Sequence, residues 1–503
     1  DRKDPYLIVR YLLMRYQITQ MGNQNYSSLN VVPYLLKEGD IGLAKFQIHA
    51  GRDLICSQYA ALEFARNFID IGDIDEANIL IDLGYPEFIG NDLRERVDGY
   101  NRVGGMEELA EKWIETAAFL LPYQKVQEHY NKFADYLQQY SDYHDNGYDE
   151  NTFYCGAVIA YTRTLITQHR FVELESLIHS LDLSRGDAPY VAFGCYTRAI
   201  KEILSSGRDE DRLDAYYGSM IKLCPKDSSI CNLQVALISY RMEKAETSRQ
   251  YLDCVDWNKL DDYHMPSIED KFDLLRDRIL YVDLATALGC NLNLSKLIPN
   301  DDKDVDSPLL NTYVKMVLHL AVLRGKARRG TSSGAELLSL AKPYLSFCDK
   351  IPFNSRNRYA NAITYQRADF YKYLVSVVEH YDSGVIDSFV DIITDYFNDE
   401  SCRANSRSKR MLVVELVNIG ADKGKCFTLL NDIEAVMLDN QDVDGAASEL
   451  FEQGKAWMAV GETEQAMDLF HRMIAETFGV GYRKDYQPTT FVKWIANANK
   501  AMP

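Results

Sequence analysis

The stretch GKAWMAVGETEQAMDLF, residues 454–470, contains the pattern from which the fold of this chain can be predicted. Its central glycine, Gly461, is followed five residues later by Ala466 and four residues after that by Phe470. Glycine permits the backbone conformation of a tight turn between two antiparallel helices. The alanine lies one turn into the second helix, where a partner helix can approach closely, and the aromatic residue lies on the same face. The stretch therefore predicts a helical hairpin.

The same spacing recurs near the beginning of the chain, at glycines that are 33 residues apart. The three copies are Gly39, Ala44, Ile48 and Gly51; Gly72, Ala77, Ile81 and Gly84; and Gly105, Ala110, Ile114 and Ala117. One hairpin cannot bury both of its faces, so such units are expected to stack on one another. The sequence therefore predicts an all-α fold, a superhelical solenoid of stacked helical hairpins.

The middle of the chain is less regular but still has the pattern of helical hairpins. One hairpin is expected from 161–167 and 171–181, and another from 195–204 and 212–223. We interpret this part as diverged repeats. We therefore divide the chain into three regions, with N-terminal helical repeats over 1–140, diverged repeats over 150–295 and C-terminal repeats over 305–503.

Composition limits the partners and the compartment. The chain has 503 residues, of which 47% are hydrophobic and 26% are charged, a balance typical of globular proteins. Its formal net charge is −19, which disfavours nucleic acid and anionic membranes as main partners because both are polyanions. Ten cysteines without a Cys-x-x-Cys pair favour reduced thiols in the cytoplasm. The charged first residues argue against a signal peptide, and no apolar run has the length of a membrane span.

No catalytic or metal-binding motif is recognisable, so the chain is not predicted to be an enzyme and no catalytic residue, metal or cofactor is assigned. Residues 420–426 come closest to a nucleotide-binding loop, but the glycines are one residue too close and Cys426 replaces the hydroxyl that would hold magnesium. We interpret them as a turn before a helix. Residues 440–445 resemble half of a calcium loop, whose last ligand position holds Phe451. A catalytic site assembled from distant residues within 150–310 stays open as an alternative.

Two basic runs stand out against the acidic composition. One covers residues 324–329, and the other comprises Arg403, Arg407, Lys409 and Arg410. Exposed charge on loops and helices is one interpretation of these runs. The other is contact with an acidic surface, either within this protein or on a partner.

Tyrosine is unusually abundant, with 34 residues against 20 phenylalanines and 4 tryptophans. Tyrosine combines a large contact area with few rotatable bonds and is favoured at protein interfaces. We expect most of these rings to lie between stacked helices. The remainder are sufficient for a wide recognition surface.

The hairpin units resemble degenerate tetratricopeptide repeats, whose period is about 34 residues. In the last copy, the family's glycine, aromatic, turn-glycine, alanine and aromatic positions are occupied by Gly454, Trp457, Gly461, Ala466 and Phe470. The resemblance implies a protein-binding module with a large concave surface.

In that family, the first helix of each hairpin lines the concave surface. Matching positions of this sequence are Tyr59 and Arg66 in the second copy, Arg102 in the third and Lys455 in the last. The resemblance therefore implies that these four residues bind the partner protein.

A further resemblance lies near the C-terminal end. The element Gly-Tyr-Arg-Lys-Asp-Tyr-Gln at 481–487, followed by Phe491, Trp494 and Ile495, is similar to the long repeat regions of bacterial STAND-class ATPases. That class includes antiviral sensors with an N-terminal effector, a central ATPase and a C-terminal tetratricopeptide-like sensor. The resemblance implies that this chain is the sensor part of a larger protein that can oligomerise, and that it binds a folded phage protein such as the large terminase or the portal. The alternative is a general adaptor or regulator that binds a host protein or peptide.

Overall fold

Two compact helical units make up the described part of the chain. The computed structural model describes residues 32–37, 39–50, 58–86, 102–144, 150–181, 183, 187–256, 268–294, 307–351, 367–399, 402, 406–433, 443–479 and 487–501. All regular secondary structure within these ranges is helical, which confirms the all-α class. None of the described helices is both long and apolar enough to cross a membrane. Residues 32–225 belong to an N-terminal unit and residues 226–479 to a C-terminal unit.

The N-terminal unit is a series of helical hairpins. Its helices are α1 (Val32–Lys37), α2 (Ile41–Ala50), α3 (Gln58–Asp70), α4 (Ile74–Leu83), α5 (Arg102–Ala117), α6 (Tyr123–His144), α7 (Glu150–Thr167), α8 (Phe171–Ser180), α9 (Ala188–Ser206) and α10 (Leu213–Leu223). The two helices of each consecutive pair pack together, and the first helices also pack on one another in the order α1, α3, α5, α7, α9. The two hairpins predicted within 161–181 and 195–223 are therefore confirmed.

The C-terminal unit contains two layers of helices over much of its length. Its helices are α11 (Ser229–Arg241), α12 (Ala245–Leu252), α13 (Ile268–Leu288), α14 (Ser307–Arg328), α15 (Ala335–Lys350), α16 (Arg367–Val378), α17 (Ser383–Phe397), α18 (Ser406–Asn418), α19 (Lys423–Asn431), α20 (Val443–Val460) and α21 (Thr463–Gly479). Helices α14, α16, α18 and α20 pack on one another in that order, and α15, α17 and α19 do the same. The last described helix of the chain is α22 (Gln487–Ala501).

The glycine–alanine pattern predicts three of these hairpins correctly. The turn glycines Gly39, Gly72 and Gly461 have φ values of +76°, +81° and +101°. These values lie in the left-handed region, which glycine adopts without a steric penalty. The alanines five residues later are fully buried in each hairpin, as expected for a close helix–helix contact: Ala44, Ala77 and Ala466.

The hairpin of α20 and α21 also packs as its sequence predicts. Gly454 on α20 lies so close to α21 that an added Cβ would overlap the ring of Phe470. Phe470 is fully buried. Trp457 contacts Phe427 edge to face, with ring centroids 5.8 Å apart. The aromatic position of the pattern therefore joins this hairpin to α19.

The turn that the third copy of the pattern predicts at Gly105 is wrong. Gly105 lies inside α5, the first helix of its hairpin. The turn comes after Ala117 instead, where the carbonyl of Pro122 accepts the amide hydrogen of Val126 at the start of α6. Proline suits such a start because its own missing N–H has no helical partner to lose. Glycine inside a helix costs only about 1 kcal/mol relative to alanine, so its spacing alone does not identify a turn.

Candidate functional site

The sequence-predicted binding residues are divided between the two units. Tyr59 and Arg66 lie on α3 in the N-terminal unit, and Lys455 lies on α20 in the C-terminal unit. Arg102 is the first residue of α5, and its side chain lies outside the described part of the structure. Lys455 Nζ is 3.4 Å from Glu452 on its own helix and 5.6 Å from the ring centroid of Phe451.

Tyr59 and Arg66 both contact the neighbouring hairpin. The Tyr59 hydroxyl donates a hydrogen bond to Glu108 Oε2 at 3.4 Å, and burial together with Glu108 raises the pKa of Tyr59 to about 12. The Arg66 guanidinium lies 3.6 Å from the ring centroid of Phe119, and its Nε donates to Asp70 Oδ1 at 2.9 Å. These side chains therefore help to dock α3 on the neighbouring hairpin.

A groove lined by tyrosines lies between α6 and α8, with α7 at its base. Its volume is about 540 Å³. Tyr123 and Tyr130 line it from α6, and Tyr154 and Tyr161 line it from α7. We call it the tyrosine groove. It is formed wholly within the N-terminal unit.

Neighbouring rings hold the tyrosines of the groove in place. Tyr130 stacks on Phe153 with ring centroids 5.3 Å apart and an interplanar angle of 8°. The rings of Tyr123 and Tyr161 are 5.4 Å apart, and the Tyr123 hydroxyl is 3.4 Å from Ser180 Oγ. Because aromatic pairs of this kind fix ring orientation, the groove presents a preformed apolar surface with polar tips.

The Tyr161 hydroxyl of the groove stays protonated at neutral pH. Burial raises the pKa of Tyr161 to about 12, although the nearby Arg170 charge opposes the shift. A tyrosine with a raised pKa stays protonated at neutral pH, where it donates a hydrogen bond and does not act as a base. Asp135 adds an exposed carboxylate on α6, and the Gln127 side-chain amide donates to Asn131 Oδ1 at 3.3 Å.

Sequence reasoning missed the tyrosines of the groove, although a signal was present. Tyr123 and Tyr130 are seven residues apart, and so are Tyr154 and Tyr161. Residues at this spacing lie on one face of a helix. Two tyrosine pairs at that spacing on consecutive helices could have identified the groove, whereas composition alone indicated only an excess of tyrosine.

The basic run at 324–329 contacts a buried carboxylate of the same protein. The side chain of Asp283 on α13 is only 5% exposed, and Arg328 Nη1 lies 3.0 Å from its Oδ2. Arg324 Nε is 3.8 Å from the same oxygen and donates to His380 Nε2 at 3.2 Å. Lys326 pairs with Glu336 at 3.2 Å. The run is therefore explained by contacts within the protein.

The cluster of Asp283, Arg324 and Arg328 is also relevant to the alternative of a catalytic site within 150–310. Burial raises the pKa of Asp283, while Arg328 and Arg324 oppose the shift, so a buried ionisable group does occur within 150–310. The carboxylate is almost inaccessible to a substrate, and its charge is balanced by two arginines. The cluster is thus explained by its role in joining α13 to α14.

The second basic run is also used largely inside the C-terminal unit. Arg410 is buried, 3.8 Å from Glu449. Lys409 Nζ donates to the Phe397 carbonyl at 3.2 Å and lies over the ring of that residue. Arg407 is exposed, and Arg403 lies outside the described residues.

The predicted loops with cation-like or nucleotide-like features give no site in the described ranges. Gly420 has a φ of +90° in the turn before α19, which confirms the helix-turn interpretation of 420–426. Residues 440–442 lie outside the described part, and α20 begins at Val443. Within the described ranges, no group of three or more His, Cys, Asp or Glu side chains is arranged to hold a metal ion.

No protein-family model matches the chain, and no curated protein does either.

Proposed function

We propose that the chain is a protein-recognition module, a tetratricopeptide-like solenoid of stacked helical hairpins that binds a segment of a partner protein in the tyrosine groove. The ordered packing of the first helices of successive hairpins supports the solenoid. The tyrosine groove is the single observation that carries the binding role. The module acts by binding alone, without catalysis or a cofactor, in the cytoplasm. Its main partner is a protein and not a nucleic acid or a membrane.

The shape of the groove favours an extended segment over a compact ligand. Its lining follows α6 from Tyr123 to Asp135. At 1.5 Å per residue this length is about 18 Å. An extended chain covers that distance with about five residues. Tyrosine rings provide the apolar contact area, and their hydroxyls can bond to the backbone of the segment.

Two kinds of partner fit this module. One is a folded phage protein such as the large terminase or the portal, recognised by the sensor part of an antiphage STAND ATPase. Binding would then shift the whole receptor toward an active oligomer because the partner has different affinities for its two states. This proposal rests on the element at 481–487, of which Gln487 begins α22 and 481–486 lie outside the described residues. Trp494 and Ile495 of that helix are buried.

The other kind of partner is a host protein or peptide, bound by a general adaptor. This alternative predicts a narrow groove that engages one extended segment, and the tyrosine groove is the candidate for it. Both proposals use the same groove and differ in the source of the segment.

Affinity purification from infected and uninfected bacterial cells, followed by mass spectrometry, tests both. The baits are the wild-type chain, the groove variant Tyr123→Ala/Tyr154→Ala and the control Tyr34→Ala on α1. A phage structural or packaging protein recovered only from infected cells would support the sensor, and a host protein in both samples would support the adaptor. In either case the partner should be lost with the groove variant and kept with the control. A partner that binds the groove variant equally well would contradict the proposed role of the groove.

A further inference from the structure

The tyrosine groove contains one charged side chain among its described lining residues, and that side chain is a carboxylate. Asp135 lines the groove from α6, and the residue is exposed. Within the described ranges, Asp135 has no hydrogen bond or ion pair with another residue. The groove therefore carries a negative charge that a ligand can neutralise.

The basic residues around the groove do not supply the missing counter-charge. The charge of Arg170 acts on Tyr161, but its Nε and Nη2 donate to the two carboxylate oxygens of Glu173 at 2.8 and 2.6 Å. Lys132 lies three residues before Asp135 on α6. It does not line the groove, and among the described residues it forms no ion pair with Asp135.

Two of the four groove tyrosines lie at the same end of the groove as Asp135. Tyr130 precedes Asp135 by five residues on α6, a rise of about 7.5 Å, whereas Tyr123 is about 18 Å away along the helix. The rings of Tyr130 and Tyr154 meet edge to face, with centroids 6.0 Å apart and an interplanar angle of 69°. Because an aromatic face attracts a cation, these rings and the carboxylate favour the same kind of ligand group.

The part of the groove between the two ring pairs is apolar. Val126 lies between Tyr123 and Tyr130 on α6, and Ala157 and Val158 lie between the two tyrosines of α7. Val126 precedes Asp135 by nine residues, a rise of about 13.5 Å along the helix. An extended chain covers that distance in about four residues. A segment in the groove would therefore place an apolar side chain about four positions from the side chain that reaches Asp135.

We propose that Asp135, together with the rings of Tyr130 and Tyr154, forms a subsite for a lysine or arginine side chain of the segment that occupies the tyrosine groove. The inference deepens the proposed function and rests on it, because the segment belongs to the partner protein. Arginine fits the subsite best. Its planar guanidinium can donate two parallel hydrogen bonds to a carboxylate and can also stack on an aromatic ring.

The acidity of the whole chain has to be separated from the effect of this one carboxylate. A net charge of −19 attracts basic peptides to many parts of the surface. Reversal of the charge at Asp135 changes that general attraction little, but it inverts the charge inside the groove. The same reversal at Asp211, an exposed residue of the N-terminal unit with no hydrogen bond or ion pair to the described residues, is the matched control.

Selection from a bead-bound library of random dodecapeptides tests the subsite without a known partner. The chains compared are the wild type, Asp135→Arg, the control Asp211→Arg and the groove variant Tyr123→Ala/Tyr154→Ala. Peptides that bind the wild type and the control but not the groove variant should contain Lys or Arg, with an apolar residue about four positions away. Peptides selected by Asp135→Arg should contain Asp or Glu at the position of the basic residue.

Fluorescence anisotropy with one selected basic peptide measures the contact. Its affinity should be about tenfold lower for Asp135→Arg, and replacement of its basic residue by Glu should restore binding to that variant. Asp135→Asn keeps the shape of the side chain and should weaken binding about threefold, as expected for an exposed ion pair. It should also reduce the dependence of the affinity on salt. Circular dichroism of each variant checks that the helices are kept.

Two results would overturn the subsite and leave the proposed function intact. One is a set of peptides that require the groove tyrosines but contain no enriched basic residue. The other is a basic, groove-dependent peptide whose affinity and salt dependence are the same for the wild type and Asp135→Asn. Basic peptides that bind the groove variant as tightly as the wild type would instead identify general attraction to an acidic surface. That result, or the absence of any bound peptide, would contradict both the subsite and the binding role of the groove.

Discussion

The two units contain pairs of arginines in opposite circumstances. In the C-terminal unit, Arg324 and Arg328 converge on the buried carboxylate of Asp283. In the N-terminal unit, Arg163 and Arg198 are exposed on the neighbouring helices α7 and α9, and the charge of Arg163 opposes the effect of burial on the pKa of Glu111 on α5. The first pair has its counter-charge within the fold. The charges of the second pair are screened by solvent, and this difference separates arginines that hold helices together from arginines that contribute little to stability.

The comparison explains why a basic run in the sequence is a poor guide to a binding surface. Arg324 and Arg328 are conspicuous because they are four residues apart on one helix, yet they are committed to internal contacts. Arg163 and Arg198 belong to no basic run, because each is an isolated arginine on its own helix. Only the packing of α7 on α9 brings them together.

Removal of the internal counter-charge should have the largest effect. Asp283→Ala leaves Arg324 and Arg328 uncompensated at the junction of α13 and α14. Breaking a buried ion pair in this way costs about 3–5 kcal/mol of the free energy of unfolding. Urea unfolding monitored by circular dichroism measures the loss. Asp395→Ala, at an exposed position of α17, is the control and should change the stability little. Equal stability of the two variants would contradict the structural role of the arginine–aspartate cluster.

The glycines near the two pairs should differ in their tolerance of a methyl group. A Cβ at Gly325 would lie 2.5 Å from the Asp283 carbonyl oxygen, whereas one at Gly194 would meet nothing within 4 Å. We expect Gly325→Ala to destabilise the protein by about 1–3 kcal/mol, because the close approach of α14 to α13 is lost. Gly194→Ala should be neutral or stabilising by up to about 1 kcal/mol. Thermal unfolding of both variants measures these effects. If Gly325→Ala were as stable as Gly194→Ala, the close contact of α13 with α14 would be contradicted.

The arginine–aspartate cluster should also make stability depend on pH. Burial, followed by the charges of Arg328 and Arg324, lowers the pKa of His380, while Glu379 opposes the shift. The unfolded state therefore binds a proton at a higher pH than the folded state does. Stability from neutral His380 is present above pH ~6.5, the unfolded value, and is lost as the pH falls through the folded pKa. His380→Gln should reduce this loss between pH 7.5 and 5.5. If the pH dependence of the free energy of unfolding were unchanged in this variant, the role of His380 would be contradicted.

The smallest effect is expected at the exposed arginines of the N-terminal unit. Arg198→Gln removes one of two like charges, so the free energy of unfolding should stay the same or rise by up to about 0.5 kcal/mol after solvent screening. Arg328→Gln should lower it, since that arginine neutralises Asp283. Calorimetric unfolding of the two variants compares them directly. A loss of stability in Arg198→Gln would mean that Arg198 has a structural partner.

Local sequence patterns predicted local structure well. The hairpins around Gly39, Gly72 and Gly461 follow from the need for a positive φ at the turn and for a small residue at the helix contact. The same pattern failed at Gly105, because α5 continues through that glycine and Pro122 begins the next helix. The glycine spacing indicates positions where a small residue is needed, and such a position can lie inside a helix as well as in a turn.

Surfaces were harder to predict than hairpins. Tyr59 and Arg66 fit the expected helix, but their contacts with Glu108 and Phe119 depend on how α3 docks on α5. The tyrosine groove requires four rings from two helices, and the arginine pair requires two helices in register. Such features depend on residue pairs that are distant in sequence, which a periodic pattern along one helix does not encode.

The most direct measurement compares the free energies of unfolding of two double variants. Arg324→Gln/Arg328→Gln leaves Asp283 buried without a counter-charge, and Arg163→Gln/Arg198→Gln removes the exposed pair. We expect the first variant to lose stability and the second to keep it. An equal loss of stability in both variants would contradict the distinction between the two arginine pairs.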